Sequence, residues 1–227
     1  MAQTSKRQAD YTYSVLALIV AWSFDRGLAP GNPCERPGKV YRSNRIDNVW
    51  SEEDEAAFLA VAPPHIGIAF TLALWTGQRQ GDLLRLVWTA YNGVSIRLRQ
   101  RKTGARVDIP VGAPLKALLD ETAKTAVTIL TTTKGTAWTE SGFRSSWRKA
   151  CHKAGVEGLT FHDLRGTAVT RLAVAGCSTA EIAAITGHKL NNVAAILDAH
   201  YLSRDKALGL SAIRKLEEHE KRTKTPN

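Results

Sequence analysis

Between Ile66 and Trp75 almost every side chain is apolar. A run of that length without a polar stripe predicts a helix buried on most sides, and Thr76-Gly77 ends it. Further along, the period changes. Val94, Ile96 and Leu98 alternate with Arg97, Arg99 and Arg101, and after Thr103-Gly104 the alternation resumes at Val107, Ile109 and Val111. Period two on both sides of a Gly-containing turn predicts a β-hairpin over residues 94–111, with one apolar and one arginine-rich face. Lys102 falls at the turn, in phase with Ile96 and Leu98 rather than with the arginines.

Elsewhere the helical period dominates. Tyr11, Val15, Leu18, Ile19 and Trp22 predict an amphipathic helix over residues 9–28, stopped by Gly27 and Pro30-Gly31-Asn32-Pro33. Residues 30–48 hold Arg36, Lys39, Arg42 and Arg45 among prolines and glycines and read as a basic linker. Ser51-Glu52-Glu53-Asp54 has the composition of a capped helix start, so the main domain is placed at residues 49–227. Pro114–Lys124 is helical by pattern, and residues 126–140 read as a short strand and loop. Gly142–Ala154 is a basic helix with Arg144, Arg148 and Lys149. A further helix is expected from Thr160 to Gly176, with Phe161, Leu164, Ala168 and Leu172 toward the core. Ser178 and Glu181 form a capping box for the next one, which Gly187 stops. Residues 192–200 make a short apolar helix leading to Tyr201, and a charged helix over 204–222 has Leu208, Leu210, Ile213 and Leu216 on one side. The expected fold class is α+β, mainly α-helical, with one small antiparallel sheet.

The composition narrows the function. A 44% hydrophobic content supports a packed core. A net charge of +10 and a pI near 9.7 point to a polyanionic partner, nucleic acid above all. Cys34, Cys151 and Cys177 are odd in number and widely spaced, which argues against a disulfide framework or zinc site and for a reducing, cytoplasmic setting. Val15–Trp22 lacks the length and cleavage site of a signal peptide, and no stretch is long enough to span a bilayer.

Several residues could carry chemistry, each with a plainer alternative. Arg79 follows the buried helix and needs an anionic partner, either a ligand or Asp82 three residues on. Lys102 could donate a proton to a leaving oxygen or be a solvated turn lysine. His162 and Arg165 share a helix face, as a site or simply as a polar surface. His188 directly follows a helix stop, aimed at a ligand or at the helix dipole. Tyr201, the only tyrosine after Tyr91, is a candidate nucleophile or an ordinary tyrosine.

In order, Thr76-Gly-Gln-Arg79-Gln-Gly-Asp82-Leu, the Lys102 hairpin, His162-Asp-Leu-Arg165-Gly-Thr, Thr186-Gly-His188 and Tyr201 resemble the catalytic domain of the tyrosine recombinase (phage integrase) family. The resemblance covers roughly residues 50–222. It implies the catalytic set Arg79, Lys102, His162, Arg165, His188 and Tyr201, with Asp82 in support. Asp82 stands where the family commonly has Glu, and the spacing from His188 to Tyr201 is longer than usual.

The implied chemistry is metal-free and cofactor-free site-specific recombination of double-stranded DNA. Tyr201 attacks a phosphodiester, a 3′-phosphotyrosyl bond forms and a 5′-hydroxyl leaves; a second 5′-hydroxyl then rejoins the strand. Arg97, Arg99, Arg101, Arg144, Arg148 and Lys149 are the expected backbone contacts, which set register more than sequence choice. The family also implies a homo-oligomer, a tetramer on DNA, in which the segment after Tyr201 docks on a neighbouring protomer; docking on its own domain is the alternative. It implies an N-terminal core-binding domain, of which residues 1–29 resemble only the last helix. Weak DNA binding and poor cleavage by this chain alone are therefore expected. Competing readings are a type IB topoisomerase-like enzyme, a DNA-binding regulator without cleavage, and a metal-dependent nuclease.

Overall fold

The computed structural model describes residues 5–35, 38, 40–41, 48–200, 210, 213–218 and 220–221. The chain divides into two units, Met1–Ile46 and Asp47–Asn227. In the first, α1 (Lys6–Asp25) begins three residues earlier than the apolar spacing suggests, because the Ser5 side chain caps it by accepting from the Gln8 amide. The Asp10 carboxylate accepts the Val40 and Tyr41 amides at 3.0 and 2.9 Å, tying the following segment to the helix. No residue of α1 is buried.

The second unit contains α2 (Glu52–Val61), α3 (Pro64–Thr76), α4 (Gln80–Leu83), β1 (Ser95–Arg99), β2 (Arg106–Pro110), α5 (Ala113–Glu121), α6 (Glu140–Ala154), α7 (Asp163–Val174), α8 (Thr179–Thr186) and α9 (Leu190–His200). It is mainly helical, with the expected two-stranded antiparallel sheet. Ser51 and Asp54 cap α2 reciprocally. The apolar run becomes α3, whose Ile66, Ala69, Phe70, Leu72 and Ala73 are all buried.

Around α3 lies an aromatic core. Trp50 stands edge-on to Phe58 and Phe70, with ring centroids 5.3 and 5.2 Å away. Phe58 in turn meets Trp147 of α6 at 4.6 Å. Trp50 is pinned by its amide to the Thr167 hydroxyl of α7 at 3.0 Å. These contacts pack α2 on α6 and α3 on α7. A second apolar cluster of Val169, Ala173, Ile182 and Val193 joins α7, α8 and α9. Because α8 also packs against β2, the hairpin is brought to the ends of the helices.

Three local expectations change. First, α7 starts at Asp163 rather than Thr160. The Asp163 carboxylate accepts both the amide and the hydroxyl of Thr160 at 2.7 Å, holding residues 160–162 as a turn. Second, residues 126–140 form isolated bridges, Val87 to Thr128 and Thr131 to Ala137, rather than a strand. Third, Val94 precedes β1 and is 72% exposed, although it shares the phase of Ile96. Of the final helix, Leu210, Ile213 and Leu216 are exposed, and Leu208 lies outside the described residues.

Phe58 is fully buried against three aromatic rings. Phe58→Ala should cost about 3–5 kcal/mol of unfolding free energy, whereas Val94→Ser should change it by no more than about 0.5 kcal/mol. Urea denaturation of both variants is the check, and equal costs would refute this account of the core.

Candidate active site

Two helices end at the same place. α3 closes with Gly77 at φ +61° and α8 closes with Gly187 at φ +66°, both left-handed C-caps. Glycine is required at each for space as well as for φ. A Cβ on Gly77 would sit 2.7 Å from Thr186 Cγ2, and one on Gly187 would sit 2.4 Å from Gln100 Nε2. The two C-termini therefore abut, and Gln78, just beyond α3, donates to the Ile185 carbonyl of α8 at 3.0 Å.

Arg165, one turn into α7, enters this junction and is 4% exposed. One terminal nitrogen, Nη1, donates to the Thr186 carbonyl at 2.8 Å and to the Gly77 carbonyl. A cation placed at two helix C-termini sits at the negative ends of both dipoles. Its Nε donates to His188 Nε2 at 3.1 Å. The other terminal nitrogen, Nη2, is buried and has no hydrogen-bond partner. Burial first, then the charge of Arg79, pushes the Arg165 pKa down to about 9, while Asp82 opposes the fall. The group stays cationic at neutral pH.

Arg79 occupies the N-cap position of α4, and its guanidinium donates to Gln100 Oε1 at 2.9 Å. Asp82 is not tied up as the sequence alternative had it: its Oδ1 accepts the Arg101 amide at 2.9 Å, fastening the hairpin tip to α4. Lys102 is exposed in that tip. A cleft of about 310 Å³ is lined by Arg79, Asp82, Arg101 and Lys102, and a neighbouring one of about 340 Å³ by Arg79, Thr103, Gly187 and His188. Arg79 is common to both, so Lys102 opens on one side of it and His188 on the other.

Lys102 does not follow the inward phase of the hairpin. β1 ends at Arg99, and Gln100 is the residue that continues from Ile96 and Leu98 into the interior, fully buried. Residues 101–103 then form the turn. Gln100, Gln78 and Thr186 are site components that the charge pattern does not reveal. The only sequence signal is a glutamine at an apolar position of an alternating strand.

His188 is held from both sides. Nε2 accepts from Arg165, so in the neutral ring Nδ1 carries the proton and donates to Thr186 Oγ1 at 2.9 Å. Thr186 Oγ1 passes its own proton to the Ile182 carbonyl at 2.7 Å. Burial, then the charges of Arg165, Arg79 and His162, push the imidazole pKa down to about 3. His162 is the exposed N-cap residue of α7 and lines a separate cleft with Arg144, Trp147 and Arg148. Tyr201 lies outside the described residues.

Of the expected DNA contacts, Arg97 is paired with Asp108 at 2.7 Å. Arg99, Arg101, Arg144, Arg148 and Lys149 are exposed, the last three on α6, whose Phe143, Trp147 and Ala150 are buried. Among the described residues no group of three or more His, Cys, Asp or Glu is placed to hold a metal ion, and no helix is long and apolar enough to cross a membrane.

The model of the phage integrase family matches residues 51–203. The chain is 34% identical over 130 residues to a shufflon-specific DNA recombinase of Escherichia coli, covering 56% of this chain and 32% of that protein. It is 27% identical over 231 residues to the integrase of Mycobacterium phage L5, covering 90% of this chain and 61% of that protein. The chain thus spans about a third and about three fifths of these two curated relatives. A crystal structure of a lambda integrase (75–356) dimer bound to a COC′ core site superposes with a TM-score of 0.76 at 22% identity, covering 88% of this chain and 76% of that one. At that identity the likeness is one of fold.

The depressed pKa of His188 has a direct consequence for pH dependence. With the folded value near 3 and the ordinary value at 6.5, the unfolded state binds the proton more tightly. The stability from this group is full above pH 6.5 and falls away as pH drops toward 3. Chemical denaturation between pH 7 and pH 4 should show that loss, and His188→Gln should flatten it. An NMR titration placing the His188 midpoint near 6.5 would contradict the arrangement.

Proposed function

Since the chain belongs to the phage integrase family, its matching segment running over residues 51–203, we propose that it is a site-specific DNA recombinase of a phage or other mobile element, working through a covalent 3′-phosphotyrosyl intermediate. The observation that carries the reading is the buried, unpartnered Nη2 of Arg165, set beside Arg79 and His188. A desolvated guanidinium with a spare donor, next to a second cation, favours an anion between them. A phosphodiester has the charge and the two non-bridging oxygens to fill that place.

In this reading Tyr201 is the nucleophile. Its phenol oxygen bonds to phosphorus as the bond to the 5′-oxygen breaks. The phenolic proton passes to or by way of His162, and Lys102 gives a proton to the leaving 5′-oxygen. Arg79 and Arg165 hold the non-bridging oxygens, where negative charge grows in the transition state. His188 begins as an acceptor toward Arg165. The arriving phosphate supplies the negative charge that raises the imidazole pKa, so that Nε2 takes up a proton and donates to the phosphate. A 5′-hydroxyl of a second strand then attacks the phosphotyrosyl bond. Since the covalent link preserves the ester energy, no nucleotide cofactor takes part.

Asp82 supports the site by anchoring the lysine tip to α4. Arg99, Arg101, Arg144, Arg148 and Lys149 contact the DNA backbone, and the Asp108 pairing of Arg97 makes that residue a weaker contact. Residues 1–29 stand for the last helix of a core-binding domain, residues 30–48 for its linker and residues 49–227 for the catalytic domain. The working form is a homo-oligomer on DNA, a tetramer joined through the segment after Tyr201, in the cytoplasm of a bacterial host. Its lambda relative crystallises as a dimer on a core site.

The test is a nicked duplex carrying the element's attachment region, incubated without metal. A covalent protein–DNA adduct should form with the wild type and be absent from Tyr201→Phe, while Arg165→Ala should slow its formation by about 10²–10³-fold. Supercoil relaxation without recombinant products would favour the topoisomerase-like reading. If no adduct formed even after an N-terminal DNA-binding half was added, the chain would be a DNA-binding module rather than an enzyme.

A further inference from the structure

Gln100 is the most completely bonded polar side chain of the site, and the chemistry above gives it no role. It is fully buried, at a position the alternation reserves for an apolar residue. Its Oε1 accepts from Arg79 at 2.9 Å and from the Thr103 hydroxyl at 2.8 Å. Its Nε2 donates to Gln78 Oε1 at 2.7 Å and to the Thr186 carbonyl at 2.8 Å. A carboxamide has two donor protons and two acceptor lone pairs, and all four are used.

The four partners come from three places: the lysine hairpin tip (Thr103), the segment between α3 and α4 (Gln78 and Arg79) and the C-terminus of α8 (Thr186). Gln78 is itself tied to the Thr76 and Ile185 carbonyls at 3.0 Å, so its amide orientation is set and leaves Oε1 facing Gln100. The Thr186 carbonyl is shared with Arg165 Nη1 at 2.8 Å. Gly187 has no Cβ, and a Cβ there would sit 2.8 Å from the Gln100 side-chain carbon, so the end of α8 rests directly on this carboxamide. An apolar side chain of the same size would leave the Gln78 acceptor unpaired in the interior and take one partner each from the Thr186 carbonyl and Arg79.

From these contacts we infer that Gln100 is a positioning residue for the recombination site. It fixes the rotamer of Arg79 and locks the Lys102 tip to the helix end that presents His188, so that groups on three segments meet one phosphate at a set spacing. The role rests on the functional reading above and deepens it. Gln100 touches no DNA. It acts through Arg79 and the hairpin, so its loss changes the speed of the chemical step rather than the strength of DNA binding.

Two measurements on the full chain test this. In single-turnover adduct formation with the nicked duplex, Gln100→Met should slow the step at saturating DNA by about a hundredfold, the cost of roughly 1 Å of misplacement. The dissociation constant for the same duplex should stay within about twofold, since binding rests on surface arginines. Gln100→Asn keeps a carboxamide one methylene short and should behave the same way, which serves if the methionine variant does not fold. An unchanged rate in either folded variant, or a rate loss matched by an equal loss of affinity, would overturn the inference. The second measurement needs no DNA. The arginine side-chain NH resonances of Arg79 and Arg165 should shift together in either variant, and unshifted resonances would overturn the role whatever the DNA shows. If the wild type itself forms no adduct, the functional reading falls, and the arginine resonances alone decide the positioning.

Discussion

A guanidinium buried to 4% exposure, with a second one close enough to lower its pKa, is the constraint around which this site is built. Removing a cation from water is costly unless oriented dipoles replace the solvent. Here two helix C-termini do so, through the Gly77 and Thr186 carbonyls. That solution dictates much else. Both helices must end within reach of one residue, both must turn away in the left-handed conformation, and neither cap can carry a side chain. Two glycines in the chain meet those demands, and each is backed by a close approach that a Cβ would prevent.

The same economy governs the polar residues nearby. Asp82 anchors the backbone of the hairpin tip, Thr186 accepts from His188 while lending its carbonyl to Arg165 and Gln100, and Gln100 joins the hairpin to two other segments. Such a network is rigid because each member is satisfied only in one arrangement. Arg165 Nη2 and Asp82 Oδ2 are exceptions, buried without partners. The aromatic core and the α7–α9 cluster hold the elements in place, and the polar layer between them sets the geometry at the scale chemistry requires.

His188 illustrates how environment redirects a residue. From sequence it is a histidine after a helix stop, able to face a ligand or a dipole. In the fold it is a neutral acceptor, pushed to a pKa of about 3 by burial and by the neighbouring cations. An anion at the site would offset the positive field of the neighbouring cations and offer a better acceptor for Arg165.

By itself the sequence determined most of the elements, their apolar faces and the motif positions, because these are local; α4 and the isolated bridges of residues 126–140 were not among them. Period 3.6 and period 2, a Ser–Asp or Ser–Glu cap and a Gly stop are all written within a few neighbouring residues. The mainly helical domain with one hairpin follows from them, while the choice of Arg79, Lys102, His162, Arg165 and His188 came from the resemblance of their motifs, in order, to a known family. Only the tertiary structure decided that Asp82 holds the hairpin tip, that Gln100 and not Lys102 carries the inward phase, and that Arg165 is seated by two carbonyls. It also decided that α7 waits for Asp163, through bonds to Thr160 that compete with the helix. The reason is sequence separation. Arg165 reaches Gly77 across 88 residues and Gln100 reaches Thr186 across 86, and no local pattern records a hydrogen bond between segments that meet only when the core has formed.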